Sequence, residues 1–157
     1  FSDVLVLASL VEKETAVPAE RPLIARVFLN RLKNHMPLQS CVTVLYAKNQ
    51  DRPTALWDLT LTAQDLKMDS PYNTYRHPGL PPQPICHPSQ ASILAVLNPA
   101  PSDNLFFIAN GQGGHDFSKT FETHQKYHQR LRQLRQNRLK DANLQNGAKD
   151  HRKGVVR

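Results

Sequence analysis

The sequence predicts an α+β fold, with helices around a small sheet, on three observations. Apolar residues in the first 34 positions recur at helical spacing, a Leu-Phe-Phe-Ile-Ala run at residues 105–109 has the composition of a buried strand, and a proline-dense stretch before it excludes regular helix. The chain has 157 residues, 39% of them hydrophobic, which suits one compact domain with a core and a polar extension. Residues 1–140 are expected to form that domain and residues 141–157 a basic, disordered tail.

In the first helix Val4, Leu5, Leu7, Ala8, Leu10 and Val11 make a broad apolar face, and Ser2 or Asp3 can cap its start. Its last turns carry Glu12 and Glu14. Two positions on a helix turn through about 200°, so these carboxylates cannot share one cleft and one of them is expected to be the working acid. A second helix is predicted from about residue 19 to 34, with Ile24, Ala25, Phe28, Leu29 and Leu32 facing inward and Pro18 and Pro22 in its opening turn. Residues 38–47 fit a strand or a short helix equally well. Residues 49–53 read as a turn, and Leu59-Thr60-Leu61-Thr62 alternates like a strand.

From Ser70 to Pro88 the prolines at 71, 78, 81, 82, 84 and 88 exclude helix. A loop of that length inside a compact domain usually has a task. It carries Tyr72, Asn73, Thr74 and Tyr75, whose flat faces, amide and hydroxyls suit sugars, although a packed connection accounts for them equally well. Ser89 caps a further helix through Ile93, Leu94, Val96 and Leu97, closed by Asn98-Pro99. The strand at 105–109 empties into Asn110-Gly111-Gln112-Gly113-Gly114-His115. Tyr127, Leu131 and Leu134 form the stripe of an amphipathic C-terminal helix, and beyond Asp141 no periodicity survives.

The net charge is +7 and the pI about 9.7, an excess concentrated beyond Phe121. Such a balance suggests an anionic partner: nucleic acid, a membrane surface or an acidic wall polymer. A solvated helix face with a tail is the plainer reading. No apolar run reaches membrane-span length, and the chain starts in apolar helix with neither Met nor a basic leader. It reads as a domain whose upstream part, including any anchor, lies outside this sequence.

Several chemistries are disfavoured. The glycines at 111, 113 and 114 match neither GxGxxG nor a P-loop, so nucleotide binding is rejected. His124 and His128 have the i, i+4 spacing of zinc ligands, but residue 125 is Gln rather than the Glu of a metalloprotease. The cysteines, Cys41 and Cys86, form no CxxC pair, and whether they are bonded or free depends on compartment. No Gly-x-Ser-x-Gly turn supports a serine triad. Neither cofactor nor metal is expected. What remains is an acid on apolar scaffolding, aromatic and amide groups on a rigid loop and a Gly-rich turn, which together point to glycan cleavage. A glycosidic leaving oxygen needs a proton at near-neutral pH, and an apolar setting raises an acid's pKa toward that range. Ordinary glycosidases add a second carboxylate, for which Asp65, Asp69 and Asp116 offer no compelling case.

The residues Ala8-Ser9-Leu10-Val11-Glu12-Lys13-Glu14-Thr15, Val27-Phe28-Leu29-Asn30-Arg31-Leu32, Leu38-Gln39-Ser40, Thr43-Val44-Leu45-Tyr46, Asp69 to Tyr75, Gly79-Leu80-Pro81-Pro82, Phe107 to Gly111, Gly113 to Phe117 and Thr123-His124 stand in one order. In that order they resemble the YceG-like (MltG) endolytic murein transglycosylases. The resemblance implies a lytic-transglycosylase-type catalytic domain on the periplasmic face of the bacterial inner membrane, with a LysM-like region and an anchor upstream. It implies cleavage of the β-1,4 bond between N-acetylmuramic acid and N-acetylglucosamine in nascent peptidoglycan strands, leaving 1,6-anhydromuramyl ends. Glu14 falls on the family's catalytic acid and Glu12 becomes a supporting residue. Gln39, Thr43, Tyr46, Asn73, Tyr75, Asn110 and His115 are expected to line the groove. Cys41 and Cys86 both replace residues usual in the family, a joint change that suggests a disulfide between them. Peptidoglycan strands, and possible synthases, are the implied partners, with no nucleic acid. The rival readings are a glycan-binding module without activity and a polyanion binder acting through the basic C-terminus.

Overall fold

The computed structural model describes the backbone of residues 1–153 and the side chains of residues 1–140. The fold is α+β, and the chain divides into two compact units, Phe1–Leu105 and Phe106–Arg157.

The first unit holds four helices: α1 (Ser2–Glu14), α2 (Arg21–Lys33), α3 (Cys41–Asn49) and α4 (Gln90–Leu97). In α1 every residue from Val6 to Val11 is buried, because its apolar face is wide enough to be enclosed by α2, α3 and α4 together. Phe1 takes the N-cap position with no side-chain cap, so neither Ser2 nor Asp3 serves as one. Ser9 is fully buried within this apolar run; its hydroxyl donates to the Val6 carbonyl at 2.7 Å and accepts from the Ile85 amide at 3.0 Å. One side chain thereby pins the proline-rich stretch to α1.

A 3₁₀ turn, Pro18–Glu20, leads into α2, with the prolines in opening positions as expected. The inward face of α2 is Ile24, Ala25, Val27, Phe28 and Arg31, while Leu29 and Leu32 are only half-buried. The expected face is shifted because Arg31 takes an inner position, where its guanidinium serves the Leu38 carbonyl and the Gln39 side chain. Residues 41–49 resolve as helix. Leu59–Thr62, expected as a strand, is irregular: the only sheet among the described residues is a hairpin elsewhere. Hydrogen bonds from Thr60 to Asp58 and from Thr62 to Asp65 organise the segment instead, with Lys48 joining both carboxylates at 2.8 and 3.2 Å. The stretch from 70 to 88 contains no helix, and Ser89 caps α4, accepting from the Ser92 amide.

The second unit contains β1 (Phe106–Ala109), β2 (His115–Ser118) and α5 (Phe121–Lys153). The strands are antiparallel, pairing Phe106 with Ser118 and Ala109 with His115. Phe106, Phe107 and Ile108 are half-buried rather than fully buried, as a two-stranded hairpin leaves much of its surface uncovered. The Gly-rich segment is the hairpin turn, where Gly111 and Gly113 adopt φ of 76° and 97°, a region glycine enters without steric cost. On α5 the predicted stripe is present, with Leu131 buried and Tyr127 and Leu134 half-buried. Helical backbone continues to Lys153, past the start of the expected tail, through a stretch whose Lys, Arg, Gln, Leu and Ala residues favour helix. The tail's last four positions, 154–157, lie outside the described residues.

Candidate active site

Glu14 is the last residue of α1, at the point where the buried helix reaches the surface, and it is half-buried. Thr15 stops the helix in extended conformation, its hydroxyl donating to Glu20 Oε2 at 3.1 Å and accepting from the Val17 amide at 2.9 Å. Ser40 Oγ donates to Glu14 Oε1 at 2.5 Å. A carboxylate this close to a hydroxyl is held in one orientation.

Ser40 is itself fixed from two sides. Its amide donates to Thr74 Oγ1 at 3.0 Å, its carbonyl accepts from Thr43 Oγ1 at 2.7 Å, and Thr43 and Thr74 hydroxyls meet at 2.9 Å. Since the Thr43 proton is given to Ser40, Thr74 must be the donor to Thr43. The three residues thus close a ring in which each bond has a defined direction. On the other side the buried Arg31 donates to the Leu38 carbonyl at 2.6 Å and to Gln39 Oε1 at 3.2 Å. Gln39 sits at φ 51°, a left-handed conformation unfavourable for a residue with a Cβ. Arg31 and the Gln39 amide bond to Thr74 carbonyl, at 3.1 Å, hold that strained turn and so aim Ser40 at Glu14.

Beside this pair the Tyr75 phenol meets Cys41 Sγ at 3.0 Å. Burial pushes the Tyr75 phenol well above its ordinary range, and the bond to Cys41 and the nearby Cys41 and Glu14 charges add to this, while Arg31 pulls the other way. Burial likewise raises the Cys41 thiol, the Tyr75 bond lowers it and Glu14 raises it. Although Cys41 is exposed by surface area, its sulfur is crowded by these neighbours. Both groups therefore stay protonated near neutral pH, so Tyr75 is available as a donor next to Glu14.

Glu12 faces another way. Its Oε2 accepts from Ser89 Oγ at 2.5 Å, Ser92 Oγ at 2.6 Å and the Ser89 amide at 3.1 Å, and Arg21 lies 3.9 Å from Oε1. The Ser89 and Ser92 hydroxyl bonds lower its pKa to about 2 against a modest burial penalty, with Arg21 contributing least. Glu12 is a permanent anion that ties α1 to the start of α4.

The other expected groove residues separate clearly. Gln39 is exposed beside Ser40, and Tyr75 is half-buried beside Cys41. Tyr46 is half-buried, its ring 4.8 Å from Tyr72 and 6.2 Å from Trp57, and it borders hollows of about 280 and 500 Å³. Thr43 and Asn73 are fully enclosed, which corrects their expected place on the groove wall. Thr43 belongs to the hydroxyl ring, and Asn73 donates from its side-chain amide to the Leu66 and Met68 carbonyls while its Oδ1 accepts from the Tyr75 amide. Asn110 and His115 belong to the second unit. Asn110 Oδ1 accepts from the amides of Gln112 and Gly114, clasping the hairpin turn, and His115 sits edge-on to Phe107 at 5.5 Å.

The disulfide is also corrected: both thiols are free, with Cys41 on Tyr75 and Cys86 directed at the Ser9 carbonyl at 3.4 Å. Asp65 is taken up by Thr62 and Lys48, and Asp69 lies 3.6 Å from His77. Sequence reasoning gave no site role to Ser40 or Arg31, and took Thr74 as a loop hydroxyl suited to sugars rather than as a support for Ser40. Ser40 precedes a helix and looks like a cap, yet it makes no side-chain cap bond, its hydroxyl going to Glu14 instead.

The YceG-like family profile matches residues 1–130. An endolytic murein transglycosylase of Bacillus subtilis is 44% identical over 122 residues, covering 78% of this chain and 32% of its own length. Its namesake from Streptococcus pneumoniae is 43% identical over 111 residues, covering 69% and 20%. The crystal structure of a YceG-like protein from Listeria monocytogenes superposes with a TM-score of 0.68 at 44% identity, over 78% of this chain and 38% of that one. The chain thus spans a third or less of the length of these two curated relatives. With the profile extending through both α1 and the hairpin, and the blocks that carry Glu14 and Ser40 inside it, the chain belongs to the YceG-like family.

Proposed function

We propose that this chain is the catalytic portion of an endolytic murein transglycosylase that cuts the β-1,4 bond between N-acetylmuramic acid and N-acetylglucosamine. The observation that carries the reading is Glu14 at the emergent end of a buried helix, oriented by Ser40, in a chain at 43–44% identity to proteins named for that activity. In the first step Glu14 gives its proton to O4 of the leaving glucosamine as the C1–O4 bond breaks. In the second, the Glu14 carboxylate takes the proton of the muramyl 6-hydroxyl as that oxygen bonds to C1, which closes the 1,6-anhydro ring and regenerates the acid. One group serves as acid and then base.

In this reading Ser40, donating to Oε1, fixes the orientation in which Glu14 meets the substrate. The Tyr75 hydroxyl, protonated throughout, is placed to donate to substrate or to developing charge. Glu12, already anionic, holds the scaffold. The enzyme works on nascent strands at the outer face of the cytoplasmic membrane, held there by a segment upstream, with peptidoglycan synthases as partners. Digestion of purified uncross-linked glycan strands by the wild type and by Glu14→Gln tests the reading. Anhydromuramyl ends that vanish in the variant support it. Reducing ends would show hydrolysis instead, and undiminished cleavage by Glu14→Gln would remove Glu14 as the catalyst.

A further inference from the structure

The residue before Glu14 borders a hollow that the chemistry above does not use. Lys13, Val42 and Leu45 meet Trp57, Leu59 and Ile85 around about 280 Å³, with Tyr46 as a shared wall. The hollow is apolar apart from Lys13, an exposed residue and its one cation. Its walls include Lys13, the residue before Glu14 on α1, and Val42, two positions after Ser40 on α3, so it is built from the same two chain segments that carry the acid and its donor. Trp57 is half-buried with its indole N–H bonded to the Arg52 carbonyl at 3.1 Å, which holds the ring in place. Around it Leu56 and Leu59 are 68% and 70% exposed, apolar surface that solvent alone does not favour.

On the basis of the proposed activity, we propose that this hollow is the subsite for the peptide stem of the muramyl residue being cut. The reacting C1 must lie at Glu14, and the stem leaves the same sugar ring through its lactyl ether. Its first residues therefore fall within one ring's breadth of the carboxylate, and Lys13 brings a wall of the hollow to the same end of α1. A short peptide stem presents small apolar side chains together with carboxylates, matching an aliphatic and aromatic lining with one ammonium. A neutral hexosamine would leave Lys13 without a purpose. The volume lies just under the range of drug-sized sites, a size that suits a short peptide substituent.

Trp57 is the only tryptophan in the chain, so its emission reports on this hollow alone. The test titrates Glu14→Gln protein with soluble uncross-linked strands bearing stem peptides, and with the same strands after amidase removal of the stems. Stem-bearing strands are expected to shift Trp57 emission and to bind about tenfold more tightly than stripped ones. Adding Lys13→Gln or Leu59→Ser, both at exposed positions, is expected to erase that preference. Equal affinity for the two strands, unchanged Trp57 emission on binding, or no binding to either overturns the proposal. Absence of anhydromuramyl products from wild-type digests would defeat the lyase reading separately, since this titration requires no turnover.

Discussion

Glu12 and Glu14 stand two residues apart on one helix and live in opposite circumstances. Glu12 is bound by two hydroxyls and an amide from the start of α4, with Arg21 behind it, and its pKa falls to about 2. Glu14 meets the Ser40 hydroxyl at the edge of a region that also holds Tyr75 and Cys41, both kept neutral by burial. A carboxylate surrounded by donors is stabilised as an anion and lost to proton transfer. The helix turn sends neighbouring acids to different walls, so one holds the scaffold while the other is left for the chemistry proposed above.

The contrast is broken most severely at Glu14. Glu14→Gln keeps an acceptor for Ser40, so the thermal melt is expected to stay in place while product formation falls by roughly 10³-fold or more, read by chromatography of the digest. Next comes Arg31→Ala, which strips the buried donor from Leu38 and Gln39. A loss of about 3 kcal/mol in urea unfolding is expected, since two bonds from a charged group disappear and a strained turn is released.

Glu12→Gln is expected to lower stability by about 2 kcal/mol at neutral pH and to spare the chemistry, as unfolding and strand cleavage would show together. Its pH signature sharpens the comparison. Because the folded pKa is depressed from 4.5 to about 2, the wild type has this stability in full above about pH 4.5 and loses it as pH falls toward 2. The variant's urea midpoint should lack that part of the acid decline. The smallest effect belongs to Ser40→Ala, with kcat reduced about tenfold at unchanged KM and stability altered by under about 1 kcal/mol. An equal fall in kcat and rise in KM would instead make Ser40 a substrate contact.

The helices and the end of α1 were legible because apolar periodicity records burial directly. Leu59–Thr62 misled because alternation announces a strand only where a partner strand exists, and here threonine–aspartate bonds organise the segment. Periodicity could not reveal that the inner face of α2 includes Arg31, since a buried charge is identified by acceptors that lie seven and eight residues away. Glu14 took its role from the ordered blocks, whereas Ser40, though part of one of them, was given none, because residues 38–47 fitted strand or helix and its acceptor lies 26 positions away. Thr43 and Asn73 were misplaced for the reverse reason: polar residues near a site suggest contact with ligand, yet both are consumed by the backbone and hydroxyls that build it.

The hydroxyl ring of Ser40, Thr43 and Thr74 joins segments more than thirty positions apart. The Ser40 hydroxyl that orients Glu14 is therefore held in place by a loop distant in sequence, and the acid's orientation is a property of the tertiary fold rather than of α1 alone. A chain whose helices have formed but whose 70–75 segment is still loose carries Glu14 without direction. On the proposed function, this coupling would withhold cleavage from a half-folded chain, and amide exchange at Ser40 would report the moment the site assembles.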